Sequence, residues 1–266
     1  MDEKKNNPQP YLTPIAIIVA GVVIAGAVIL KDQVSIKFGN QTPTVAGSQT
    51  TTPPKETPEQ VMIRLGREAG AGDITTCLNS GKFTANINKD TADGQKAGVN
   101  GTPTFFIGDQ IVVGALPYTS TLKPNDNFKA YIDIALNGQK FTVDGQTVDM
   151  SKADLSALAP TPSDAVIGNK DAKLTITVFS DFACPYCAAA AGQSQTMGPG
   201  YEAPIPNIIK DYVNTGKVRM IFREFVLHGP LAQKAAEAAQ CVNEQGKYIE
   251  MADKLFANIS VWYQQQ

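Results

Sequence analysis

Apolar residues fall along this chain in three different ways, and each way sets an expectation. Residues 12–30, LTPIAIIVAGVVIAGAVIL, form an unbroken run without a charge. At 1.5 Å per residue such a helix spans roughly 28 Å, the thickness of a bilayer core. All-round apolarity over this length speaks against a buried core helix. A cleaved signal peptide would have a shorter apolar region followed by a small-residue cleavage site. Here the run meets Lys31-Asp32 directly, so an uncleaved anchor is expected. Lys4 and Lys5 precede it and Lys31 and Lys37 follow, so the charge rule is nearly balanced. A short head at 1–11 and a large body favour a cytoplasmic N-terminus with the body outside. Residues 39–57 carry Thr, Pro, Gln and Gly and almost nothing to bury. The stretch 31–57 is therefore expected to be a flexible tether, reaching roughly 25 Å over its disordered part.

From residue 58 onward the pattern becomes periodic. Thr57, Pro58 and Gln60 make an N-cap, a first-turn proline and a capping-box partner. Val61, Met62, Leu65 and Ala69 then share one helical face. A short helix carries Cys77, and 83–97 reads as another. Strands 104–107 and 111–113 flank Gly108-Asp109-Gln110 and predict a hairpin. A helix follows at 126–136. Residues 141–143 and 146–148 flank Asp144-Gly145, a hairpin signal too short to be stable alone, so it is expected to ornament a linker. Then come a strand at 173–179, helical patterns at 188–191 and 205–213, a strand at 217–225, and strong helices at 231–245 and 247–258.

Composition narrows the function. Of 266 residues 43% are hydrophobic, enough for a real core, and the net charge is -2 without a basic run. A nucleic-acid partner would leave a basic footprint, so none is expected. The four cysteines are Cys77, Cys184, Cys187 and Cys241. They are too few for a disulfide-built scaffold, but enough for one redox pair and one structural pair in an oxidising compartment.

Cys184-Pro185-Tyr186-Cys187 carries the chemistry. It follows a strand and opens a helix. Unpaired N–H groups and the helix dipole at that point favour a thiolate, so Cys184 is the expected nucleophile. Pro185 suits the first turn because it has no N–H to lose. Cys187 lies one turn deeper, where it can resolve a mixed disulfide. A structural zinc site needs four ligands, and the rest of the chain offers two isolated cysteines and His228. No metal and no cofactor are expected. His228 is assigned no role. Asp181 and Glu224 are candidate proton acceptors near Cys187.

FSDFACPYC (179–187), AAEAAQCVNEQGKY (235–248), AGVNGTPTFFIG (97–108) and CLNSGKF (77–83) resemble DsbA-like thiol:disulfide oxidoreductases of the thioredoxin superfamily. The resemblance covers the body from about 58 to the end, apart from 138–163. It implies an α/β thioredoxin-like sheet with an inserted helical subdomain. It also implies a cis proline at Thr102-Pro103 facing the cysteine pair, cysteine-containing protein substrates, and a membrane redox partner that recycles the pair. Members similar to this chain often carry His between the cysteines, where Pro185-Tyr186 stand here, so the direction of exchange stays open. Cys77 and Cys241 lie on helix patterns and are expected to form a structural disulfide; the alternative is two separate buried thiols.

The order of the pieces departs from the family. There, the Cys-X-X-Cys strand precedes the helical insert and the cis-Pro hairpin; here the hairpin at 103–113 comes first. One circularly permuted domain is expected over 58–266. Its parts are a helical part with the hairpin (58–137), a joining linker (138–163) and a Cys-X-X-Cys half (164–266). No other segment is expected to supply a missing half. The alternatives are halves swapped between two chains or an inactive fragment of a longer tandem protein. A thioredoxin-like metal- or copper-handling module is the alternative of another class.

Overall fold

The computed structural model describes residues 55–145, 150 and 153–263. The expected head, anchor, most of the tether and the strand half at 146–148 lie outside the described residues. Among the described residues no helix is long and apolar enough to cross a membrane.

The described residues start with three helices, α1 (Pro58–Glu68), α2 (Thr75–Ser80) and α3 (Thr84–Lys96). The capping box of α1 is formed: the Gln60 N–H donates to Thr57 Oγ1, and the Thr57 N–H donates to Gln60 Oε1 at 2.8 Å. Val61, Met62 and Leu65 are buried, so the apolar stripe read from the sequence faces the core. The hairpin follows as β1 (Thr104–Ile107) and β2 (Gln110–Val113), then α4 (Phe128–Leu136). The helix expected from 126 starts at Phe128, and Asn127 caps it by accepting from the Ala130 N–H at 3.0 Å.

The second half contains β3 (Ala165–Gly168), β4 (Leu174–Ser180), α5 (Pro185–Ala190), α6 (Pro204–Ile208), β5 (Val218–Glu224), α7 (Gly229–Asn243), α8 (Tyr248–Ala257) and α9 (Ile259–Trp262). The helix expected over 205–213 is α6 only as far as Ile208, and Ile209–Val213 widens into a π turn.

Among the described residues the five strands form one sheet in the order β2-β1-β4-β5-β3. β1 pairs antiparallel with β4, Phe105 opposite Val178, while β4 and β5 run parallel with Ile176 beside Met220. The hairpin therefore precedes the Cys-X-X-Cys strand in the chain yet lies next to it in the sheet. Strands of both halves thus share one sheet.

Two features, one in the linker and one just after it, differ from expectation. The 141–143 segment is not a strand, and it belongs to the core rather than to an ornament. Phe141 stacks on Tyr131 with centroids 4.4 Å apart, and the Gln110 side chain both donates to and accepts from the Phe141 backbone. The edge strand β3 was not expected. It is four residues long and half exposed, with Val166 outward, so its sequence gives little periodic signal.

α3 lies unusually close to the sheet. A Cβ built on Gly94 would stand 2.8 Å from the Phe225 ring and 3.0 Å from Phe179, so glycine is the residue that permits this approach.

Cys77 and Cys241 form a disulfide that joins α2 to α7 across 164 positions. It fastens helices that the chain connects only through the whole sheet. Converting both to serine is expected to cost about 2–5 kcal/mol. Urea unfolding with and without reductant checks this. A midpoint shared by the double serine variant and the parent would remove the stapling role.

Candidate active site

The site grows from the end of β4. Ser180 closes the strand, Asp181 turns the chain, and Cys184 stands as the N-cap of α5 with Pro185 in the first turn. The turn is held by the Cys184 N–H donating to the Asp181 carbonyl at 3.0 Å, and by the Ala183 N–H donating to Asp181 Oδ1 at 2.8 Å. Both cysteines are free thiols. Cys187 is 1% exposed and Cys184 4%, while the intervening Tyr186 is 51% exposed. The proline and tyrosine thus form the outer face of the motif, with the sulfurs beneath it.

The two thiols are driven apart in acidity. Cys184 is lowered from 9.0 to about 6, first by hydrogen bonding from the Cys187 thiol, against the opposing effect of burial. Thr102 and the backbone N–H groups of Cys187 and Tyr186 also favour its thiolate. Cys187 moves the other way, far above 9.0, because it is fully buried and faces the Cys184 charge. One sulfur is an anion at neutral pH and its neighbour keeps its proton, the division that a nucleophile and a resolving thiol need. Alkylation of the reduced protein by iodoacetamide should then rise with a midpoint near pH 6 and label Cys184. A midpoint near an ordinary thiol's value would remove the thiolate assignment.

Thr102-Pro103 comes to the site from the other half. The peptide bond is cis, and Cys184 Sγ lies 3.4 Å from the Thr102 carbonyl oxygen, which accepts from the sulfur only in its thiol form. The Thr102 hydroxyl is buried on the Cys184 side, where it favours the thiolate. Beside the pair opens a cleft of about 470 Å³, walled by Thr102, Ala115, Leu116, Pro117, Tyr186 and Met197 among others.

The structure brings Cys184, Cys187, Pro185, Tyr186, Thr102 and Pro103 together. Cys77 and Cys241 sit apart from them in the helical layer. His228, given no role in the sequence, has a clear one in holding the turn. Its Nδ1 lies 2.9 Å from Asp181 Oδ2, which also accepts the Leu227 and His228 N–H groups. The only sequence signal for this was Asp181 three residues before Cys184.

This sheet, with a cysteine pair opening a helix and a cis proline across from it, is a DsbA-like fold of the thioredoxin superfamily. Residues 46–123 match the family model described as DSBA-like thioredoxin domain, and residues 160–266 one described as Thioredoxin. Such a fold supports thiol:disulfide oxidoreductase activity in general. Among curated proteins, the chain is similar to Na(+)/H(+) antiporter NhaA 3 of Salinispora tropica, 35% identical over 107 residues. It is also similar to Na(+)/H(+) antiporter NhaA 1 of Salinispora arenicola, 33% identical over 107 residues. Each match takes in 40% of this chain and 14% of the antiporter, so the chain spans about a seventh of these relatives. Among solved structures it is similar to alpha-DsbA1 of Wolbachia pipientis, with 26% identity and a TM-score of 0.34. That match covers 40% of this chain and 48% of the other. A threonine-to-valine variant of the same Wolbachia protein gives 27%, a TM-score of 0.33, and coverage of 40% and 47%.

Proposed function

We propose that this chain is a membrane-anchored, extracytoplasmic thiol:disulfide oxidoreductase that exchanges disulfides with extended, cysteine-containing protein substrates. The observation that carries the reading is the division of labour between the two sulfurs. Cys184 is drawn to about 6 beside the Thr102 carbonyl, and Cys187 is buried behind it with its proton retained. Cys184 attacks a substrate disulfide, and Cys187 resolves the mixed disulfide. The mostly apolar cleft beside Tyr186 offers room for the substrate chain next to its cysteine.

The reading treats 58–266 as one permuted domain in which 138–163 joins the old termini. It treats 12–30 as the anchor that holds the domain outside the membrane, where a membrane redox partner recycles the pair. An insulin-reduction assay and a scrambled-substrate assay on the purified chain test the activity. Turnover in neither, with the thiols intact, would sink it. Fractionation with protease protection of whole cells tests the placement: a body that is protected in intact cells and lost from the membrane fraction would overturn it.

A further inference from the structure

The turn that carries the cysteines is gripped from outside by one histidine. Asp181 has four donors on its two carboxylate oxygens: the N–H groups of Ala183, Leu227 and His228, and the His228 ring. A carboxylate only accepts, so the proton of the last bond sits on His228 Nδ1 whether the ring is neutral or charged. The Asp181 side chain is enclosed, while the His228 side chain is partly exposed. On its other side the histidine is held by Tyr263. That hydroxyl donates to the His228 carbonyl at 3.3 Å, and the two rings meet edge to face with centroids 6.5 Å apart. Leu227 and His228 directly precede α7, so these bonds tie the start of α7 to the end of β4.

The backbone of Asp181 reaches both cysteines. Its carbonyl accepts the Cys184 N–H at 3.0 Å. Its N–H hydrogen-bonds the Cys187 sulfur and favours the thiolate there. The two peptide planes that meet at the Asp181 α-carbon thus place Cys184 at the head of α5 and give Cys187 a donor. A side chain bound by four donors has one orientation, and it branches from that same α-carbon. These contacts count in one redox state more than in the other. The reduced pair carries a thiolate, which a nearby N–H stabilises strongly, whereas a disulfide is neutral and accepts weakly. Contacts that favour the thiolate therefore stabilise the reduced pair and make it a stronger oxidant. Phe182 is the rival anchor of this turn, since it packs on Phe256 of α8 with centroids 4.9 Å apart.

We propose that His228, through its Nδ1 bond to Asp181, is a positioning residue that holds the Cys184–Cys187 turn in the arrangement favouring the reduced pair, and so helps to set the reduction potential of the site. The proposal rests on the exchange reading above and adds a residue that tunes it. His228 acts through Asp181 rather than on either sulfur. The balance it biases is an exchange with a small disulfide such as oxidised glutathione. The thiols of Cys184 and Cys187 and one glutathione disulfide give the Cys184–Cys187 disulfide and two glutathione thiols. One S–S bond forms and one breaks. The protein pair gives up two electrons and two protons, and both end on the two glutathione sulfurs. Loss of the Nδ1 bond moves this balance toward the protein disulfide.

Equilibration of the full-length chain with reduced and oxidised glutathione, read by alkylation and intact mass, tests this. His228→Ala should favour the protein disulfide by about tenfold, the worth of one hydrogen bond to a charged group, which is roughly 30 mV toward a more reducing potential. In the same variant the alkylation midpoint of Cys184 should rise from about 6. His228→Asn keeps an N–H at the place of Nδ1 and should restore both values. His228→Gln reaches the place of Nε2 instead and should restore neither. An alanine variant with the parent's potential and midpoint overturns the proposal and leaves the turn to Phe182. Equal values in the asparagine and glutamine variants also overturn it, because the ring's packing on Tyr263 would then matter rather than the Nδ1 bond. Should His228→Ala fail to fold, the comparison of asparagine with glutamine decides alone. A parent that forms no Cys184–Cys187 disulfide at any glutathione ratio overturns the exchange reading itself, which is a different result from an exchanging parent indifferent to residue 228.

Discussion

Cys187→Ser should accumulate stable mixed disulfides with substrate proteins, and Cys184→Ser should accumulate none. Both should lose turnover by several orders of magnitude, because thiol–disulfide exchange has no route without both sulfurs. The asymmetry follows from the site. Cys184 is the anion at neutral pH, at about 6. It lies within reach of the Thr102 carbonyl in the loop that borders the cleft. Cys187 is buried inside α5, as are Ala188, Ala189 and Ala190 after it. A substrate disulfide therefore meets Cys184 first, and only the intramolecular attack of Cys187 frees it. Non-reducing gels of each variant expressed with its native anchor, followed by mass spectrometry of the shifted bands, check the outcome. Trapping through Cys187 in the Cys184→Ser protein would reverse the assignment.

The parts of this site that could be read in the sequence are those written locally. A strand, a three-residue turn and Cys-Pro-Tyr-Cys at a helix start are contiguous, so strand periodicity and first-turn chemistry locate the nucleophile without any tertiary information. Thr102-Pro103 ahead of an apolar strand is equally local. Its placement opposite the cysteines came from family resemblance, and the antiparallel β1–β4 pairing gives the physical route. The α1 capping box and stripe were legible for the same local reason.

What escaped was written at long range. Nothing in the spacing of Asp181 and His228, 47 positions apart, announces their contact. Tyr248 reads as a helix-start aromatic, and its bond to Glu224 depends on how α8 crosses β5. β3 is short, sits at the edge and follows a proline-rich linker, so it has almost no pattern of its own. Arg223 escaped for another reason. A charged residue in VRMIFRE invites an outward placement, whereas both faces of β5 are covered and Arg223 is 0% exposed.

That arginine should carry the largest stability effect of any single side chain outside the core. Its guanidinium makes a two-pronged pair with Asp164, Nε to Oδ1 at 3.0 Å and Nη2 to Oδ2 at 2.9 Å. The remaining donors reach the carbonyls of Ala157 and Ala159, each at 2.7 Å. Asp164 also accepts the Thr161 N–H and hydroxyl. Together these bonds clamp the end of the joining linker to β5 immediately before β3 begins. Arg223→Ala strands a buried carboxylate and leaves two carbonyls without donors. The expected loss is about 3–5 kcal/mol, a large part of the roughly 5–15 kcal/mol available to a domain. Arg223→Lys should recover little, because an ammonium cannot span both carboxylate oxygens and both carbonyls at once. Arg223→Met combined with Asp164→Leu should recover much of it, since no charge is then left buried alone. Urea unfolding midpoints at constant slope measure all three. A single alanine variant within about 1 kcal/mol of the parent would mean that water reaches Asp164 and that the linker is held by its apolar contacts instead.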